Sequence, residues 1–344
     1  MRLKKWLDNA RSGALVQSAM PALLAIVLAF ASGQAVWWIA ILAFFGVECA
    51  HLAMNLADDY FDYKVDMMGD RDRVIRQGFR AMTAKYPYLT DGSETLKTTA
   101  HAIARFSATA FAAGLLIFVY RVMELGFTGP QGAWWILAIV AACAFLGYFY
   151  SGPPLKLAYR GVGELIIGLI FGPLLMVGMY YACCGKVDMN IVLISIPVGL
   201  LVLNILFTHS FIDLKGDEAS NKMTFARLLG NKTVCLIFSA IFIFVPFALV
   251  VLAVVLGYTH PAYLAVLLVL PRGIWLFRSL VLFSRGEMME IEKPAKWLGP
   301  MPNWDKIREA HIDWFLARWF CARNLLSGFC LMLGLVAIIL MIVL

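Results

Sequence analysis

Two acidic stretches stand where apolar runs end. The first reads Asn55-Leu-Ala-Asp58-Asp59-Tyr-Phe-Asp62-Tyr-Lys-Val-Asp66, and the second reads Asp213-Leu-Lys-Gly-Asp217. A carboxylate at the centre of a membrane helix costs roughly 2.5–3.5 kcal/mol on insertion scales, and less near the surface. Taken as helix, Asn55, Asp59, Asp62 and Asp66 form one stripe, with Asp58 about 100° off it. Carboxylates sharing a face repel one another unless a cation sits among them. Mg²⁺ suits such a site, because it takes oxygen ligands, keeps waters and bridges carboxylates to phosphate oxygens. Asp213 and Asp217 are a minimal i, i+4 pair. DxxxD is common by chance, so its weight comes from matching the first cluster in depth and sidedness. A solvated acidic helix end is the competing reading for the first cluster.

Between the clusters lies Tyr150-Ser-Gly-Pro-Pro-Leu-Lys156-Leu-Ala-Tyr159-Arg160-Gly161. Gly-Pro-Pro ends a helix sharply. Lys156 and Arg160 on the short loop that follows are placed to clamp an anion such as diphosphate; ordinary cytoplasmic-side charge is the alternative. Metal on the aspartates would neutralise a diphosphate, and the two cations would take up charge as it leaves. An allylic diphosphate ionises readily, and an electron-rich aromatic acceptor would attack its carbon. Tyr150 would face the developing cation through its ring, or serve as an interfacial anchor. Glu48 and His51 continue the stripe above Asn55 into the membrane. Two readings stand: they bind the acceptor hydroxyls or take its ring proton, or they are a buried polar pair. Arg272 either reaches an acceptor carboxylate or pairs with Glu48.

Long apolar elements must position these groups. Of 344 residues, 62% are hydrophobic and 15% charged, with a mean hydropathy of +0.79. A soluble domain is nearer half apolar and a quarter charged, so the expected class is an all-α polytopic membrane protein. Nine spans are expected, at 15–33, 36–61, 103–122, 133–150, 162–183, 190–212, 234–257, 261–283 and 322–344, bundled around a central cavity. The expected domain organisation is a single domain over 1–344, with 62–102 and 284–321 as long cytoplasmic loops or interfacial segments. If the N-terminus is cytoplasmic, all but four of the 29 Lys and Arg fall on that face. The exceptions are Arg121 and Lys186 on opposite loops, and Arg272 and Arg278 inside the eighth span. This bias predicts an N-terminus inside and a C-terminus outside. The net charge of +7 then faces anionic headgroups and needs no nucleic-acid partner. The first apolar run follows a basic stretch without a small-residue cleavage site and is read as a retained helix. Both acidic clusters fall on the cytoplasmic face, after the second and sixth spans, which suggests a weak internal duplication. The seven cysteines form no CxxC and mostly lie in apolar runs, which points to inert thiols. In 284–321, Trp304, Ile307, His311, Phe315 and Trp319 recur at helical spacing. That predicts a helix lying on the membrane or a connector packed on the protein.

These residues carry a family resemblance over nearly the whole chain. NLADDYFDYKVD resembles the NLANDYxD stretch of the MenA branch of the UbiA superfamily of intramembrane prenyltransferases. YRGVGELIIGLIFGPLLMVGMYY (159–181) is similar to that branch's YRGLGE…FGP…GTYY. DLKGDEASNKMTFARLLG (213–230) resembles DxxGDxxxGKRTLAxxLG, and CARNLLSGFCLMLGL (321–335) resembles a last helix opening with an arginine, here Arg323. The resemblance implies nine helices in the cell (inner) membrane. Asn55, Asp59, Asp62, Asp66, Asp213 and Asp217 would hold Mg²⁺-diphosphate, with Lys156 and Arg160 assisting. Eight residues after Asn55, where the family often has aspartate, stands Tyr63, so Asp62 or Asp66 must serve. Asn55, Asp58, Lys222 and Arg272 are the expected substrate contacts; Lys156, Arg160, Tyr150, His51 and Glu48 are the expected catalytic groups. The implied reaction transfers a polyprenyl group from an allylic diphosphate to 1,4-dihydroxy-2-naphthoate with decarboxylation, for menaquinone. The same machinery fits 4-hydroxybenzoate, homogentisate or a lipid glycerol phosphate. A cation transporter is the reading from another class, but transporter carboxylates usually lie near the midplane on broken helices. Prenyl chain length and oligomeric state are not encoded in these patterns.

Overall fold

The computed structural model describes residues 3–66, 86–219, 222–287, 289 and 291–343, with residues 65, 66 and 219 described by backbone alone. The chain is all-helical. Fourteen helices are labelled in chain order: α1 Leu3–Asn9, α2 Val16–Ala31, α3 Trp37–Asp66, α4 Pro87–Thr90, α5 Leu96–Leu125, α6 Trp134–Ser151, α7 Gly163–Cys184, α8 Met189–Ile212, α9 Leu214–Ala219, α10 Phe225–Leu229, α11 Lys232–Val255, α12 Pro261–Ser284, α13 Trp304–Glu309 and α14 Asp313–Val343. Eight of them among the described residues (α3, α5, α6, α7, α8, α11, α12 and α14) are long and apolar enough to cross a membrane. α2, expected as the first span, is 16 residues long, about 24 Å at helical rise.

α8 lies at the centre. It packs on α7, α11 and α14, while α3 runs along α5. Its buried side chains include Leu201, Ile205, Phe207 and Phe211. The α7–α8 contact is closer than side chains permit: a Cβ on Gly172 would stand 2.4 Å from the Gly199 Cα, and one on Gly168 would stand 2.9 Å from the Gly199 carbonyl oxygen. Small residues let membrane helices approach in this way.

Several boundaries differ from expectation: α3 runs on to Asp66 past the expected 61, and α5 begins at Leu96 ahead of the expected 103. The periodic segment 304–319 is not one helix. α13 ends at Glu309, His311 adopts φ +55, and α14 begins at Asp313. Trp304, Ile307, Ile312 and Phe320 are buried in one apolar cluster, so this face packs on the protein. The last helix therefore starts nine residues before the expected position 322. Arg318, inside these added turns, is buried and donates to the carbonyls of Ser279 and Trp314.

Candidate functional site

α3 stays helical through Asp66, so Asn55, Asp59 and Asp62 share a face as expected. The side chain of Asp66 lies outside the described residues. Asp59, Asp62, Asp213 and Asp217 are each 3% exposed or less. The three described aspartates of α3 are gripped by three different parts of the chain. Asp59 accepts from the Tyr88 hydroxyl on α4 at 3.1 Å, and its other oxygen stands 3.1 Å from the Arg11 guanidinium. Asp58 accepts from Ser151, at the end of α6, at 2.5 Å, and from Arg11 at 3.4 Å. Asp62 accepts from the Tyr159 hydroxyl at 2.6 Å. Asn55 donates its amide nitrogen to the Ala10 carbonyl at 2.9 Å, and its own carbonyl accepts from Arg11 at 3.1 Å.

The second pair sits at a break. α8 ends at Ile212; the Asp213 N–H donates to the His209 carbonyl, and the Asp217 N–H to the Asp213 carbonyl. The Asp213 carboxylate lies over Gly216, where a Cβ would come within 2.3 Å of Oδ1. Arg227 donates to the carbonyls of Asp217 and Lys222, at 3.2 and 2.7 Å.

The loop between α6 and α7 joins the two groups. Arg160 pairs in a short parallel bridge with Met223, and Gly161 N–H donates to the Met223 carbonyl at 2.7 Å. Lys222 stands 5.5 Å over the Tyr159 ring, so Asp62, Tyr159 and Lys222 form a chain from one motif to the other. Glu164 locks this arrangement. It is buried, accepts from Ser210 at 2.7 Å, and takes the Phe225 N–H at the start of α10 at 3.1 Å. Lys156, at φ +44, is half-buried, and Arg160 is exposed. Among the described residues neither forms an ion pair with a carboxylate. Tyr150 lies within electrostatic reach of Asp58, Glu164 and Asp62.

Above Asn55, Glu48 and His51 converge on Ser18 of α2. Its hydroxyl lies 2.9 Å from Glu48 Oε1 and 2.7 Å from His51 Nδ1, and the His51 ring stacks at a tilt on Phe171. Arg272 does not pair with Glu48. It donates to the carbonyls of Trp297, at 2.8 Å, and Asn324, at 3.1 Å. Arg272 lies roughly 18 Å up α12 from Ser284 at helical rise, so the segment after α12 folds back along that helix. Asn324 and Arg323 satisfy the Leu298 and Pro300 carbonyls of the same segment.

The sequence did not single out Arg11, Ser18, Tyr88, Ser151, Tyr159 or Glu164. Tyr159 and Glu164 lie inside the YRGVGE stretch, which was a usable signal. The others are joined to the site by tertiary contact alone.

The described donor set is four buried carboxylates, Asp59, Asp62, Asp213 and Asp217, with the Asn55 amide beside the first pair, divided between two helix ends. That chemistry fits Mg²⁺ bound together with a phosphate group. Among the described residues no group of three or more His, Cys, Asp or Glu side chains stands close enough together to hold a metal ion by itself.

Residues 91–297 match the UbiA prenyltransferase family. The chain belongs to the UbiA prenyltransferase family. It is a multi-pass membrane prenyltransferase. A 1,4-dihydroxy-2-naphthoate octaprenyltransferase of Bacillus subtilis (strain 168) is 25% identical over 276 residues, which is 79% of this chain and 80% of that one. Two solved structures share the fold. A digeranylgeranylglyceryl phosphate synthase is 17% identical, with TM-score 0.59 over 98% of each chain. A UbiA homologue from Archaeoglobus fulgidus, bound to GPP and Mg²⁺, is 15% identical, with TM-score 0.50 over 94% of this chain and 99% of that one.

Proposed function

We propose that this UbiA prenyltransferase transfers a polyprenyl group to 1,4-dihydroxy-2-naphthoate, with loss of CO₂. The observation that supports the reading is the chain Asp62–Tyr159–Lys222, which links the first aspartate stripe to the basic residue five positions after Asp217. The naphthoate acceptor is supported by the Bacillus subtilis relative, and Mg²⁺ by the archaeal homologue bound to it.

Asn55, Asp59, Asp62 and Asp66, with Asp213 and Asp217, would hold Mg²⁺. When bound, the metal supplies charge neutralisation to the diphosphate. Lys156, Arg160 and Lys222 stabilise the negative charge that grows on the leaving oxygen as the allylic C–O bond breaks. Tyr150 lines the path of the allylic cation with its ring. Asp58, held by Ser151, orients the donor end of α3. Glu48 and His51, fixed by Ser18, receive the acceptor hydroxyls. Attack at the ring carbon bearing the carboxylate forms the new C–C bond, and the pair from the broken C–CO₂ bond restores the ring. We assign the whole chain to one domain, and the Lys and Arg bias supports a cell-membrane orientation with both aspartate groups toward the cytoplasm.

The test is a panel of acceptors offered to the purified enzyme with one long allylic diphosphate and Mg²⁺, read by product mass. The naphthoate should give a product lighter by CO₂ than simple alkylation. Turnover of 4-hydroxybenzoate or homogentisate, with the naphthoate inert, would sink this assignment.

A further inference from the structure

The N-terminal segment places a cation among the aspartates. Arg11 adopts φ +56, in the left-handed region that a side chain normally avoids. Its guanidinium contacts Asp59 at 3.1 Å, Asp58 at 3.4 Å and the Asn55 carbonyl at 3.1 Å. The segment is fastened at two further points. Lys5 pairs with Glu94 at 2.7 Å, and Trp6 packs edge-on against Tyr88, whose hydroxyl holds Asp59. Beside α1 lies an open groove lined by Trp6, Glu94, Thr98 and His101.

We propose that Arg11 is a built-in counter-cation that competes with the divalent metal for Asp59, and that residues 3–15 form a strap over the donor site that metal and diphosphate release. The inference rests on the reading of Asp59 as a metal ligand. A guanidinium and a divalent ion cannot both sit against one buried carboxylate without strong like-charge repulsion. Asp59 is therefore held in place by Arg11 when no metal is bound, and metal loading must push Arg11 aside.

The test is Mn²⁺ affinity, read by electron paramagnetic resonance on purified full-length protein, together with trypsin cleavage after Lys4 and Lys5. Arg11→Ala should tighten Mn²⁺ binding by roughly tenfold, the scale of a close charge pair, and should speed cleavage without any ligand. Arg11→Lys, which keeps the charge, should shift affinity by less. In the unsubstituted protein, Mg²⁺ with inorganic diphosphate should speed cleavage. Unchanged or weaker Mn²⁺ binding in Arg11→Ala, in a variant that keeps its thermal midpoint, overturns the proposal. Asp59→Asn separates the two levels. If it binds Mn²⁺ normally, the metal-site reading itself falls; if it loses Mn²⁺ while Arg11→Ala does not change, the strap alone falls.

Discussion

The Tyr159 hydroxyl donates to Asp62 at 2.6 Å, and Lys222 lies 5.5 Å over the same ring. One side chain thus sets the position of a carboxylate from α3 and of a cation that follows α9. Tyr159→Phe removes the bond to a charged partner, worth about 1.5–3 kcal/mol. It should lower kcat/KM for the allylic donor by roughly tenfold or more, and leave KM for the acceptor nearly unchanged. Tyr159→Ala also removes the ring under Lys222 and should cost more. Steady-state kinetics with each substrate varied in turn checks both.

Gly216 offers a contrast of sign. It sits within helical α9, where alanine normally stabilises by about 1 kcal/mol relative to glycine. Here its Cβ would meet the Asp213 carboxylate at 2.3 Å. Gly216→Ala should leave the thermal midpoint intact, yet weaken donor binding by about tenfold or more, because Asp213 must swing away. A variant with normal donor affinity would show that Asp213 does not act from its present position.

Arg272 donates to two backbone carbonyls and holds the segment after α12 against α14. Arg272→Ala should destabilise the protein by about 2–4 kcal/mol, the range for losing charge-assisted bonds to buried groups. Acceptor KM should not rise. A large rise in acceptor KM with normal stability would instead assign Arg272 to the acceptor carboxylate.

Ser18 is the shared partner of Glu48 and His51. Ser18→Ala leaves both buried groups without that bond, at about 1–3 kcal/mol. If the pair receives the acceptor, acceptor KM should rise severalfold and Ser18→Thr should restore part of it. Equal effects on both substrates, tracking stability alone, would reduce the trio to a structural polar cluster.

The pH dependence of the strap has a definite sign. The Lys5 hydrogen bond, chiefly, holds Glu94 below its ordinary 4.5. A depressed carboxylate contributes stability above its unfolded pKa and loses it as pH falls through the folded value. Trypsin-independent proteolysis of residues 3–15, by pepsin for example, should therefore accelerate below about pH 4.5. Glu94→Gln should be insensitive to that change.

Much of the fold was legible because the apolar runs are long and the charges gather between them. The first aspartate stripe was legible for the same reason: α3 continues as helix past the apolar run, so spacing alone placed Asn55, Asp59 and Asp62. The end of α8 at Ile212 matches the expected span 190–212. What spacing did not show is that Gly216 makes room for the Asp213 carboxylate. The expected last span began at 322, whereas α14 begins at Asp313; Arg318 in the added turns is satisfied inside the protein by backbone carbonyls of Ser279 and Trp314, contacts that only folding supplies. Arg11 was hidden for a different reason. Its basic neighbours explained it fully as cytoplasmic-side charge, and only folding brings it to Asp59.

The most direct measurement is diphosphate release by purified enzyme supplied with Mg²⁺, a long allylic diphosphate and 1,4-dihydroxy-2-naphthoate. Release should require both the metal and the acceptor, and should fall by at least about a hundredfold in Asp59→Asn and in Asp213→Asn, as expected when a metal-held leaving group loses a ligand. Undiminished release in either folded variant would contradict the shared two-cluster site.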